Sequence, residues 1–133
     1  MAGFIRYNPN PFKRNTIDCV FRALTLFLGF TWREAVDDLV GWAADRGLVN
    51  FCYRSTDTAY LKDKGYPRCK APRKGMTVVE FCDEFVEKGY IYIIQVRRHW
   101  TVVSWSNEQD FPCIFDTWYC GDRVVEGFWM RKL

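Results

Sequence analysis

The chain has 133 residues, 49% hydrophobic, 26% charged and 18% aromatic, a balance that suits a folded globular domain and excludes a disordered or low-complexity one. Nineteen basic residues against sixteen acidic ones leave a net charge of only +3, which speaks against nucleic-acid binding by bulk electrostatics. No run of about 18 apolar residues predicts a membrane span, and the N-terminus has no signal-peptide pattern, so the expectation is a single domain over residues 1–133 in a cytoplasm.

Residues 1–14 read as an irregular basic lead-in, with Pro9 and Pro11 opposing helix. A helix is expected from Ile17. Val20, Ala23, Leu24 and Phe27 share one face, Leu26 and Leu28 widen it, and Gly29 ends it. Asn15 or Thr16 is the expected cap, which puts Cys19 in the first turn. Thr31 and Glu34 form a capping-box pair for a second helix over about 32–46, closed by Gly47. A short helical piece is expected near 57–64. The Pro-, Gly- and Lys/Arg-rich stretch 65–75 reads as a long loop. Thr77 and Glu80 repeat the capping box for a helix through about Glu87.

After Gly89 the composition turns β-branched and aromatic. Strands are expected at 90–96, 100–105, 113–116 and 123–130, with turns at 107–110 and 120–122. The predicted fold is therefore α+β: helices in the N-terminal half packed on a C-terminal antiparallel sheet.

Within that frame three residues suggest chemistry. Cys19 lies at a helix start, where free N–H groups and the helix dipole favour a thiolate. Arg22 would add positive charge one turn on, and Asp18 would oppose it. The single histidine, His99, heads the apolar run Trp100–Trp105, and Asp116 follows in Phe115-Asp-Thr-Trp118. An Asp beside Phe115 and Trp118 is costly unless it is paired or faces solvent at a strand end, and two adjacent antiparallel strands could pair it with His99. A thiol, a base and an orienting carboxylate are the parts of a nucleophilic thiol system.

The other five cysteines lack a second histidine to activate them and read as packing or surface thiols. There is no Cys-x-x-Cys pair and only one His, so a structural zinc site is not expected. Glu34, Asp37, Asp38, Glu80, Asp83 and Glu84 fall on amphipathic helices and read as solvated faces. The basic run 62–74 reads as a solvated loop, with an anionic partner as the alternative.

In order and element type these motifs resemble the papain-like cysteine peptidases, particularly their small bacterial and phage-type members. Asp18-Cys19 heads a helix, His99-Trp-Thr-Val-Val heads a strand, and Asp116-Thr-Trp118 is similar to the family's Asn-Ser-Trp. The likeness spans about residues 13–130. It implies a papain-like fold, Cys19 as nucleophile, His99 as general base and acid, Asp116 as orienting group and Trp118 as the aromatic shielding the His–Asp contact. It also implies a peptide or protein substrate, no cofactor and, for a phage-type member, a host cytoplasm. One position departs: Lys13 stands where the family carries the oxyanion-hole Gln, with Asn15 the substitute donor beside the Cys19 N–H. The departure keeps a second expectation open, a papain-like binding protein with a relict triad, such as a phage factor engaging a host protein.

Overall fold

The computed structural model describes residues 2–14, 16–49 and 54–133. Four helices and six strands follow in the order β1 (Gly3–Arg6), α1 (Cys19–Leu28), α2 (Trp32–Ala44), α3 (Arg54–Asp63), β2 (Cys69–Lys70), α4 (Val78–Phe85), β3 (Tyr90–Val96), β4 (His99–Ser106), β5 (Phe111–Asp116) and β6 (Gly127–Lys132). The fold is α+β, around one sheet of order β1-β5-β4-β3-β6-β2.

The helix starts follow the capping chemistry. Thr31 Oγ1 accepts from the Glu34 N–H at 3.1 Å while Glu34 Oε1 accepts from the Thr31 N–H at 2.9 Å. Thr77 and Glu80 repeat the exchange at 3.2 and 2.9 Å. α1 ends at Gly29, whose φ of 73° is the left-handed cap that glycine adopts without a Cβ penalty. Its N-cap is Asp18, which makes no side-chain capping bond, rather than the expected Asn15 or Thr16. Asn15 lies outside the described residues.

Strands β3 to β6 fall close to their expected spans, with β6 beginning at Gly127 rather than near 123. β3 sits inside the sheet, with β4 and β6 antiparallel on either side. Its alternate residues feed two cores. Ile91 and Ile93 join Trp100, Val102 and Trp129 under α1 (Val20, Ala23, Leu24, Phe27), Leu39 of α2 and Leu61 of α3. Tyr92, Ile94 and Val96 join Val103 and Ile114 under Val78, Phe81 and Cys82 of α4. Burial on both faces explains why 91–94 reads as an unbroken apolar run.

Two edges depart from the expectation. The sheet is mixed rather than wholly antiparallel, because β1 pairs parallel to β5 with Gly3 opposite Cys113 and Arg6 opposite Asp116. The lead-in is thus partly a strand; a four-residue edge strand joined by distant pairing carries no local turn signal. Gly3 is required there, since a Cβ would come within 2.5 Å of the Phe111 ring. At the other edge the expected 65–75 loop contributes the two-residue β2, antiparallel to β6. No helix among the described residues is long and apolar enough to cross a membrane.

Candidate active site

Register explains why His99 and Asp116 meet. β4 and β5 pair with Val102 opposite Phe115, so Asp116 comes level with Thr101, and His99 lies two residues along on the same face. That diagonal is within reach of an imidazole. His99 Nε2 lies 2.6 Å from Asp116 Oδ2. With Nε2 engaged, Nδ1 is the ring nitrogen left for another partner. The Cys19 thiol borders the same cleft as this imidazole and lies near enough to favour its protonated form. Cys19 is the first residue of α1, whose apolar face packs over β3 and β4 and carries its N-terminus to the head of β4.

Asp116 is 2% exposed and thoroughly partnered. Its Oδ1 accepts from the Thr117 N–H at 2.7 Å and faces Arg22 Nη2 at 3.4 Å. The Cys120 thiol donates toward Oδ2 at 3.7 Å. The Asp116 backbone is held in turn, its carbonyl accepting from the Tyr7 N–H at 2.8 Å. Arg22 is buried and pairs with both Asp18 and Asp116, joining the start of α1 to the end of β5. Trp32 Nε1 completes the Asp18 carboxylate at 2.9 Å.

These contacts set the charges. Burial alone would lower the His99 pKa, but its hydrogen bond to the Asp116 carboxylate, the nearby Cys120 and Cys19 thiols and the Asp116 charge raise it to about 11. Burial works against ionised Asp116, yet its bond to His99 and the imidazolium charge hold the carboxyl below the usual range. The pair is an imidazolium–carboxylate across the neutral range. Trp118 lies against the imidazole with ring centroids 4.8 Å apart and is half exposed.

Cys19 and His99 border a cleft of about 420 Å³, walled also by Ile17, Val20, Phe21 and Trp100 and by the charged residues Arg54, Asp57, Arg97, Arg98 and Glu126. The first helical hydrogen bond of α1 is made by the Arg22 N–H to Asp18 O at 2.9 Å. The N–H groups of Cys19, Val20 and Phe21 are therefore unclaimed within the helix, and all three residues line the cleft. They form a set of backbone donors able to bind an anion in the cleft. Lys13 takes no part: its φ is 52° and its Nζ donates to Asn8 O at 2.9 Å. Asn15 and Cys52 lie outside the described residues.

Of the residues singled out in the sequence, Cys19, His99, Asp116 and Trp118 come together. Three contributors were less legible. Arg22 is a bridge between two aspartates as well as a nearby charge, signalled only by its i, i+4 spacing from Asp18. Cys120 packs in the core as expected, but its thiol also reaches Asp116 and lies within 4.8 Å of His99. Asp57 borders the cleft from α3 with nothing in the sequence to mark it. His99, Asp116 and Cys120 present ligand atoms within 4.8 Å of one another and could grip a soft divalent cation. Against that use, the same atoms make the His99–Asp116 bond, and Arg22 already sets a positive charge beside Asp116.

The chain matches no family model, no curated protein and no solved structure.

Proposed function

We propose that this protein is a papain-like cysteine hydrolase that cleaves a peptide, isopeptide or related amide bond through Cys19, His99 and Asp116. One observation carries the reading: the only histidine is clamped to a buried carboxylate at 2.6 Å and shares a cleft with a thiol at a helix N-terminus. In this mechanism the imidazolium of His99 pairs with the Cys19 thiolate, which attacks the carbonyl carbon. The oxyanion accepts hydrogen bonds from the free N–H groups at the start of α1. His99 then protonates the leaving amine, and the sulfur remains bonded to the acyl carbon as a thioester. His99, now neutral, takes a proton from water as that water attacks the thioester, and Cys19 is released. Asp116 fixes the ring and stabilises its positive charge. The substrate is a peptide or protein, the compartment a reducing cytoplasm in which these thiols stay free.

A second reading, a binding protein on the same fold with a relict triad, is favoured by Lys13, which leaves the oxyanion without the family's side-chain donor. Acyl-enzyme formation separates the two. With an activated ester, the hydrolase gives a Cys19 thioester visible by intact mass and absent in Cys19→Ser. A binding protein gives no adduct.

A further inference from the structure

The triad leaves one wall of the cleft unexplained. On it stands Asp57, in the first turn of α3, which is 2% exposed and yet borders the cavity. Its Oδ1 is buried without a hydrogen-bond partner among the described residues. Native interiors rarely leave a carboxylate oxygen so.

Among the described residues nothing neutralises it. The charged and titratable groups on the same cleft are Arg54, Glu126, Arg97, Arg98, Asp18, Cys19 and His99. Arg54 is paired with Glu126, His99 with Asp116, and Asp18 with Arg22. Arg97 and Arg98 are exposed in the β3–β4 turn and make no ion pair with Asp57. Burial therefore pushes the Asp57 carboxyl up to about 8, with no opposing cause.

We propose, on the basis of the hydrolase reading above, that Asp57 is the specificity-determining residue of the cleft and selects a substrate bearing a single ammonium or guanidinium group, as on a lysine or arginine side chain. A cationic group supplies both the missing N–H donor and the missing positive charge; a neutral donor supplies only the first. Arg97 and Arg98 at the rim repel a run of basic residues, so the preference is for one cation, not a polybasic segment. Asp57 gives up its proton as the cation binds, so the preference grows as the pH rises through 6 to 8.

The test uses the full chain and four thiol reagents. Iodoacetamide reports the nucleophile alone. Three peptidyl chloromethyl ketones, identical but for lysine, norleucine or glutamate beside the reactive carbon, report selection. The Cys19 adduct is followed by mass. The proposal expects lysine to react on the order of tenfold faster than norleucine at pH 8, with glutamate slowest. The ratio shrinks at pH 6 and falls to about one in Asp57→Asn, whereas Asp57→Glu keeps it above one. Equal wild-type rates for lysine and norleucine would overturn the role of Asp57 even if no variant folds. So would a lysine preference that survives Asp57→Asn. If iodoacetamide labels Cys19 no faster than the other thiols, the hydrolase reading itself fails, and the inference falls with it.

Discussion

Two buried acids in this chain titrate in opposite directions, and the contrast separates positioning from selection. Asp116 has a cation on either side and stays ionised; Asp57 has none and is held protonated to about pH 8. Replacing Asp116 with Asn removes the charge that keeps His99 protonated. On the proposed hydrolase reading, the alkaline limb of kcat/KM expected near pH 11 from His99 then moves several units toward neutrality. A pH–rate profile measures this, and an unmoved limb would mean that Asp116 does not set the imidazole's charge. For Asp57 the linkage has the other sign. The native state keeps a proton that the unfolded chain releases above about pH 3.8, so Asp57 costs stability increasingly from there to about pH 8. Asp57→Asn should raise the Tm at pH 8 by roughly 10 °C or more and change it little at pH 4. Equal shifts at both pH values would show that the carboxyl is not held neutral.

At the scale of elements, α1 does most to assemble the site. Its apolar stripe docks on the sheet, its first residue is Cys19, and Arg22 ties that end to the end of β5. Arg22→Met would leave buried Asp18 without its cation and take one of two from Asp116, costing about 3–5 kcal/mol, read as a lowered urea midpoint. A loss below about 1 kcal/mol would place the bridge outside the folding energetics. The helix was legible because its i, i+3, i+4 stripe and its glycine stop are local patterns. The capping boxes at Thr31 and Thr77 were legible for the same reason. Cys19, His99, Asp116 and Trp118 could be read because each stands at an element boundary marked in the sequence. β1 and β2 could not, since each is an edge strand of four residues or fewer, paired to a strand far along the chain. Asp57 could not either: its isolation depends on α3 packing beside the cleft, and an Asp in a first helical turn reads as an ordinary solvated acid.

For the whole molecule, the sheet separates two cores, and the candidate site lies where the start of α1 meets the head of β4 and the end of β5. The charges buried there give the pH dependence of stability a distinct shape. Asp116 contributes stability above the usual carboxylate range that is lost in acid as it protonates. His99 contributes stability that is complete below pH 6.5 and lost as the pH rises toward 11. Together with Asp57 they put the maximum on the acidic side of neutrality, with the urea midpoint falling from pH 5 to pH 9. A flat profile over that interval would contradict the charge states assigned to His99 and Asp57.

The central claim is that Cys19 is a nucleophile activated by His99. It is tested most directly by the rate of iodoacetamide labelling at pH 6, mapped to each cysteine by mass. Burial pushes the Cys82 thiol up to about 12 and the Cys113 thiol up as well, so both should be inert. The account predicts that Cys19 is alkylated well ahead of every other thiol and that His99→Ala abolishes the difference. Labelling of Cys19 no faster than that of the other cysteines, or unchanged in His99→Ala, would contradict it.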